Sequence, residues 1–358
     1  MIPRTDISYS AVRRGHTYLA RAELWTPDGH VADVPIHGGS VTKSLTDGQG
    51  QWSGELRVPG YQWFDLLAPG TYCWVEVHIR VDEEEWPIGQ FPVLTVAEDR
   101  PGGLITATLG DWAYRRDRAD AETAFAIPAG VSVAETVRVY MAPVLPALAT
   151  TVARDDSNGA LVVSEVKAQV GGSVWGALTQ IANQVGCTAE VPTRGTVAIR
   201  RYDPYVPYHE DITGTVVRMR TTVDAARAVN MVRQVLEPSD PAGTTYMADK
   251  LITWPPYAYD RTKFGLGVVA QATRVDTPTQ AMADTEAQRV FDRQAGLVKR
   301  LELTVLPQPW LECGDVLFLR VGDPLDNRIE QTMINSITHP LTADQSMTIR
   351  TRDVQVLG

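Results

Sequence analysis

Cysteine is scarce in this chain of 358 residues, which contains three: Cys73, Cys187 and Cys313. They lie far apart, and none belongs to a Cys-x-x-Cys pair. An odd number of unclustered thiols argues against a disulfide framework and against a cysteine-based zinc site. We therefore expect three buried, reduced thiols.

Long apolar runs are also missing. The amino-terminal segment MIPRTDISYS lacks the apolar stretch of a secretory signal. No run reaches the roughly 18 residues that a membrane-spanning helix needs. We therefore expect no membrane segment and synthesis in a cytoplasm.

Positive charge is in deficit, because 33 Lys and Arg residues stand against 43 Asp and Glu residues, for a net charge of -10. General nucleic-acid binding needs cations that displace the counterions held by phosphates. The balance argues against such a role for the whole surface and leaves a local basic patch open. With 44% hydrophobic and 21% charged residues, the composition favours folded cores over disorder.

Catalytic signatures are absent as well. The chain has no His-Glu-x-x-His zinc helix and no Walker loop. Residues 164–167 (SEVK) match Ser-x-x-Lys without its partner motifs, and the glycines at 265–267 lead into a predicted strand rather than a phosphate-binding helix. The acidic runs at 82–85 and 209–211 lack the ligand spacing of a metal site, so we interpret the second as a solvated loop. We predict no catalytic residue, no cofactor and no metal.

The two ends of the chain carry β-strand patterns. Residues 72–81 are rich in β-formers, and the acidic run at 82–85 predicts an exposed hairpin tip. Residues 61–67 (YQWFDLL) predict one short helix before Pro69 and Gly70. Pro278 predicts the first position of a helix that runs to residue 295. Further strands are predicted at 215–220, 229–236, 268–275, 299–306, 315–321 and 346–356.

The middle of the chain is mixed α/β. Ser132 and Ser173 are each placed to cap a helix. The second helix carries an apolar stripe from Trp175 to Val185, which predicts core packing, and Gly186 ends it. A hairpin follows, with strands at 187–191 and 196–201. The fold class is mainly β (α+β).

Four stretches, taken in order, suggest a family. They are 39–58 (GSVTKSLTDGQGQWSGELRV), 86–96 (WPIGQFPVLTV), the helix–hairpin unit at 173–201, and the closing pair 301–315 (LELTVLPQPWLECGD) and 336–352 (SITHPLTADQSMTIRTR). Together they resemble the hub-type minor tail proteins of long-tailed phages of high-GC Gram-positive bacteria. That family is related in fold to baseplate hub and late-control tail proteins. It has no catalytic residues of its own, so the resemblance implies none in this chain.

The resemblance implies two tail-tube-like β-barrels with an inserted α/β domain. The first barrel would span residues 1–112, the insertion 113–210 and the second barrel 211–358. The second barrel would carry helix 278–295 and an irregular aromatic loop at 246–259.

The resemblance also implies a structural role at the tip of a virion tail. The protein would form a homotrimeric ring that closes or adapts the tail tube, with six barrels matching the tube's sixfold symmetry. It would anchor the tip proteins that contact the host, and its partners would be other tail tip and tail tube proteins, with the tape measure protein a further candidate. DNA would pass through an acidic or neutral lumen without specific binding.

The candidate interface lies in the aromatic loop and consists of Trp254, Tyr257 and Tyr259. Aromatic side chains beside Pro255 and Pro256 lose little entropy on docking, so Trp254→Ala should weaken assembly while the monomer stays folded. Two other function classes remain open. One is a module that binds host-surface carbohydrate through these aromatics, and the other is a tail-associated cell-wall hydrolase.

Overall fold

The structure, a computed structural model, describes most of the chain and is mainly β, as the sequence predicts. The described residues are 17–46, 49–68, 72–99, 101–112, 124–141, 151–168, 170, 172–201, 209–253, 267–275, 278–294, 296–320 and 329–353. None of the helices within these ranges combines the length and apolar character needed to cross a bilayer.

The first part of the chain forms strands and one short helix. They are β1 (Tyr18–Thr26), β2 (Gly29–Val34), β3 (Gly38–Thr46), β4 (Gln49–Pro59), α1 (Gln62–Leu66), β5 (Trp74–Val81), β6 (Glu84–Asp99) and β7 (Leu104–Leu109). Helix α1 lies within the predicted segment 61–67. The β5–β6 hairpin turns at exposed Asp82 and Glu83, which confirms the predicted acidic tip.

The middle part mixes short strands with helices. Its elements are β8 (Phe125–Ile127), α2 (Val133–Thr136) with a π-helical turn (Val137–Met141), β9 (Thr151–Asp155), β10 (Val166–Ala168), α3 (Val174–Gln184), β11 (Thr188–Glu190) and β12 (Thr196–Arg200). Both predicted caps are confirmed. The Ser132 hydroxyl accepts a hydrogen bond from Glu135 N at 3.2 Å, and the Ser173 hydroxyl accepts one from Gly176 N at 2.9 Å.

The last part returns to strands. It contains β13 (His209–Asp211), a 3-10 turn (Thr213–Thr215), β14 (Val216–Pro238), β15 (Tyr246–Leu251), β16 (Gly267–Val275), α4 (Gln280–Gln294), β17 (Gly296–Val305), β18 (Val316–Arg320), β19 (Ile329–Pro340) and β20 (Met347–Asp353). The segment 209–211, interpreted as a loop, is a strand because it pairs in parallel with β18.

Two strand predictions need correction in this part. The segments 215–220 and 229–236, predicted as separate strands, share the single strand β14, whose pairing with β17 shifts register between Asp224 and Val229. The predicted irregular loop at 246–259 begins as a regular strand, because β15 pairs antiparallel with β14. The proline pair that suggested a loop lies beyond the end of this strand.

The start of α4 also differs from the prediction. The helix begins at Gln280 rather than at Pro278. Thr279 acts as its cap, because the Thr279 hydroxyl accepts a hydrogen bond from Met282 N at 3.3 Å and its carbonyl accepts one from Ala283 N at 3.1 Å. A side-chain cap therefore outweighs the preference of proline for the first helical position.

The two ends of the chain share one 15-stranded sheet with the order β15-β14-β17-β20-β19-β3-β4-β7-β6-β5-β1-β2, to which β13, β16 and β18 attach. The ends join where β19 pairs antiparallel with β3, from Ser336 opposite Ser44 to Pro340 opposite Ser40. Among the described strands no pairing closes this order into a ring. The predicted barrels are therefore seen as segments of a continuous sheet rather than as closed cylinders.

Two main cores follow from this arrangement. The larger one continues from the first part into the last and includes Leu56, Phe91, Leu303 and Ile337. The other belongs mainly to the middle part, and the stripe of α3 packs into it, as predicted. All three cysteines are free and buried, which confirms that expectation.

Candidate functional site

The face of the large sheet opposite the larger core is rich in hydroxyl groups. Directly paired residues of neighbouring strands lie on the same face. The register therefore places Thr304, Thr348, Thr338, Thr42 and Ser53 in one row across β17, β20, β19, β3 and β4. This row crosses the β19–β3 junction between the two ends of the chain.

Strand alternation explains this face. Successive side chains of a strand point to opposite sides, and the neighbours Val41, Leu303 and Ile337 are buried in the larger core. The paired Thr95 and Thr108 extend the polar side onto β6 and β7. We call this surface the hydroxyl face and define it by Thr42, Ser44, Ser53, Thr95, Thr108, Thr304, Ser336, Thr338 and Thr348.

Hydrogen bonds link the hydroxyl face across strands. The Thr42 and Thr338 hydroxyl oxygens lie 2.9 Å apart, and the Thr95 hydroxyl donates to the Thr108 hydroxyl at 2.8 Å. The row from Thr304 to Ser53 therefore presents uncharged hydroxyl groups along the centre of the sheet, and Thr42 and Thr338 within it are hydrogen-bonded.

Charged residues flank the row on the same side of the sheet. On β4, Arg57 Nε lies 2.6 Å from Glu55 Oε1. At the β14 end, the register places Arg218 opposite Thr304 and Arg220 opposite Glu302. Arg350 reaches Glu302 at 3.4 Å. The arginines at this end form a local basic patch, which the overall charge balance had left open.

A buried ion network joins all three parts of the chain. Glu190 Oε2 on β11 lies 3.2 Å from Lys43 Nζ on β3 and 3.6 Å from Arg200 Nη1 on β12. Arg200 Nη2 lies 3.2 Å from Glu312 Oε2 in the last part. The side chains of Lys43 and Glu190 are 7% and 5% exposed. Each charge offsets the desolvation cost of its partner.

Three groups near the network have shifted pKa values. Burial raises the pKa of Glu312, but Arg200 and Lys43 outweigh this effect, so the pKa lies below its usual range. Burial raises the pKa of the Cys313 thiol to about 12 and lowers the pKa of His339 to about 4. These groups are therefore held in fixed protonation states near neutral pH, which suits a structural junction better than acid–base chemistry.

A cleft of about 680 Å³ opens where the first, middle and last parts of the chain approach each other. Trp175 and Gln180 of α3, Trp52 of β4, and Met282 and Glu286 of α4 contribute to its lining. Its wall combines apolar side chains with a similar number of polar ones, including Ser53 and Thr108 of the hydroxyl face. Such a cleft can accept a ligand or a side chain of a partner.

Exposed apolar side chains mark two candidate contact surfaces. Around α1, Tyr61 is 47% exposed, Phe64 38% and Leu66 40%. On β15, Met247 is 59% exposed and Leu251 42%. Sequence reasoning predicted α1 but placed β15 in an irregular loop, and it predicted neither exposed face, because exposure depends on distant partners. Grouped apolar exposure is typical of protein–protein contact.

The predicted interface residues Trp254, Tyr257 and Tyr259 lie outside the described residues, so their role stays a prediction. Sequence reasoning missed a different group, Glu23, Glu76 and His78, whose potential metal-ligating atoms all lie within 4.8 Å of one another. Its members come from two strands and form no sequence motif.

Comparison with known proteins shows similarity in structure. No protein-family model matches the chain, and no curated protein matches it. A tail protein from Neisseria meningitidis MC58 aligns with a TM-score of 0.63 at 13% identity, covering 94% of this chain and 97% of that one. The 43 kDa tail protein of prophage MuSo2 from Shewanella oneidensis aligns with a TM-score of 0.60 at 12% identity, covering 93% and 98%.

A third structure agrees with these two. Prophage tail protein gp18 from Listeria monocytogenes EGD-e aligns with a TM-score of 0.58 at 11% identity, covering 94% of this chain and 95% of that one. Nearly the full length of each chain is matched, so the likeness concerns the whole architecture. The similarity to tail proteins that the sequence predicted is thereby confirmed at the level of structure, and the chain has the fold of phage and prophage tail proteins.

Proposed function

We propose that this chain is a structural hub protein of a virion tail tip, where it closes or adapts the tail tube and anchors the proteins that contact the host. The observation that carries the proposal is the hydroxyl row, because it continues without interruption across both ends of the chain. The shared fold with three tail proteins supports the same role.

In this proposal the part of the hydroxyl face away from the cleft, with Thr42, Thr304, Thr338 and Thr348, lines the lumen. DNA must pass a tail ring without being held, and Lys or Arg side chains would hold its phosphates by releasing counterions. Threonine and serine hydroxyl groups hydrate such a surface without giving it a charge. The arginines of β14 would then lie at the margin of the lumen rather than at its narrowest part.

We propose that the ring is a homotrimer. The β19–β3 pairing makes the two ends of one chain a single sheet, so each chain offers two similar arcs and three chains offer six. Subunits in such a ring meet head to tail. The exposed apolar side chains around α1 and on β15, together with Trp254, Tyr257 and Tyr259, would contact neighbouring subunits or tail proteins.

Imaging of the assembled tail tip tests the proposal. We expect three copies around the axis, with both ends of each chain in one ring and the hydroxyl face turned inward. Six copies, or a ring that uses only one end of each chain, would contradict it. We also expect no turnover of purified peptidoglycan, since the proposed role is mechanical.

A further inference from the structure

We propose that Glu23, Glu76 and His78 form a binding site for a divalent transition-metal ion of the zinc type. This inference goes beyond the proposed tail function and does not depend on it. Two carboxylates and one imidazole are a donor set that suits such ions, with a solvent molecule in the remaining position.

The antiparallel register brings the three residues together. β1 and β5 pair Glu23 with Glu76 and Arg21 with His78, so all of these side chains share one face of the sheet. Glu76 Oε2 and His78 Nε2 lie 4.0 Å apart. Two ligands that each lie about 2.1 Å from one tetrahedral zinc ion are about 3.4 Å apart, so this pair needs to close by only about 0.6 Å when an ion binds.

The carboxylates are oriented by donors that lie outside the group of three. The indole Nε1 of Trp25 donates to Glu23 Oε2 at 3.1 Å, and the indole Nε1 of Trp74 donates to Glu76 Oε1 at 3.2 Å. Gln90 Nε2 also donates to Glu76 Oε1, at 2.7 Å. At Glu76 both donors engage Oε1 and leave Oε2, the oxygen that lies 4.0 Å from His78 Nε2, for the ion. Donors that orient a ligand in this way are a regular feature of metal sites.

The electrostatics of the pair also favour a cation. Two carboxylates directly opposite each other on neighbouring strands repel, and the side chains of Glu23 and Glu76 are only 13% and 19% exposed. Arg21 Nη2 lies 2.9 Å from Glu23 Oε1, but its Nε also lies 3.3 Å from Glu85 Oε1. Arg21 can therefore keep a carboxylate partner when Glu23 turns to the ion.

The site is connected to the middle part of the chain. Gln90, which donates to Glu76, accepts a hydrogen bond from Arg194 N at 2.9 Å, in the turn of the β11–β12 hairpin. The Arg194 guanidinium lies over the Trp74 ring, 4.8 Å from its centroid. A bound ion that fixes Glu76 would thus also steady the attachment of this hairpin to the sheet.

Calorimetric titration of the full chain with zinc chloride, after chelator treatment, tests the proposal. We expect one equivalent to bind, and Glu76→Gln and His78→Gln each to weaken binding by at least about tenfold, because even outer-shell changes at metal sites have effects of this size. Glu55→Gln and His37→Gln are matched controls, since both residues lie away from the site, and they should bind zinc as the unmodified chain does.

Two outcomes would overturn the proposal: no zinc binding by the unmodified chain, or equal affinity in the site variants and the controls. Circular dichroism establishes that each variant is folded. If Glu76→Gln fails to fold, the affinity of His78→Gln for zinc decides the test, because the His78 side chain is partly exposed and its substitution disturbs folding less. Hydrogen exchange of the Arg194 amide gives a second readout, and we expect zinc to slow it in the unmodified chain but not in His78→Gln.

Discussion

At the scale of single residues, the fold constrains the titration of His339. Burial lowers its pKa to about 4, whereas the ordinary value is about 6.5. The unfolded chain therefore takes up a proton at a higher pH than the folded chain does. Stability is lost as the pH falls from about 6.5 towards 4.

This shift gives a measurable pH dependence. Between pH 7 and pH 5, we expect His339 to account for roughly 2 kcal/mol of lost unfolding free energy. Urea unfolding of the unmodified chain and of His339→Gln at both pH values measures it. The lowered pKa of Glu312 acts in the same direction but below its usual range, so it contributes mainly at lower pH. An identical pH dependence in both proteins would disprove the role of His339.

Lys43 stabilises the fold as a member of the buried ion network. Lys43→Met leaves the buried Glu190 with Arg200 as its partner at 3.6 Å. Removal of one member of a buried ion pair lowers the free energy of unfolding by about 3–5 kcal/mol, and we expect a loss of this size. Arg233→Met is the control, because the Arg233–Asp249 pair is 38% and 37% exposed and such pairs contribute about 1 kcal/mol or less. Chemical denaturation compares the two, and equal losses would refute the structural importance of the network.

At the scale of elements, the β3–β4 ladder depends on one glycine. Gly39 has a φ of +126°, and a Cβ atom there would lie 2.0 Å from the Glu55 carbonyl oxygen. Gly39→Ala must therefore strain the backbone and push β4 away, and we expect a loss of at least about 3 kcal/mol. Because β3 also pairs with β19, the junction between the two ends should loosen.

The neighbouring glycine supplies the control. A Cβ atom at Gly38 would meet only Arg57 Cδ, at 3.8 Å, so Gly38→Ala should cost about 1 kcal/mol or less. Thermal unfolding and hydrogen exchange across β3 and β19 compare the two variants. Similar stabilities would show that the close approach at Gly39 does not control this ladder.

At the scale of the whole molecule, the placement of the hydroxyl face in the lumen predicts how added charge affects DNA release. Particles that carry Thr338→Lys should release DNA more slowly at low salt and recover as salt rises, because bound phosphates are exchanged for counterions. Thr244→Lys adds the same charge at an exposed turn outside this face. Release from that control should match the unmodified particle, and equal rates for both variants would exclude Thr338 from the lumen.

The local sequence pattern alone was sufficient to predict most of the helices and strands. The caps at Ser132 and Ser173, the stripe of α3 and the acidic tip after β5 all depend on residues within one or two turns of each other, so they were predicted with correct positions. The start of α4 was misplaced, because Pro278 and Thr279 are both favourable starting residues and only the folded chain shows which one caps the helix.

Pairing between distant strands could not be predicted in this way. The amino-acid pattern shows which residues alternate along a strand, but it does not specify which strand lies beside it or in which register. The row from Thr304 to Ser53 therefore emerged from the β19–β3 pairing, and the ion network from the approach of Lys43, Glu190 and Glu312 over long stretches of chain. The same holds for Glu23, Glu76 and His78. The residues themselves supplied the mainly β class, the caps and the buried thiols, whereas long-range packing brought separate polar side chains to one place, because burial and register depend on the whole fold.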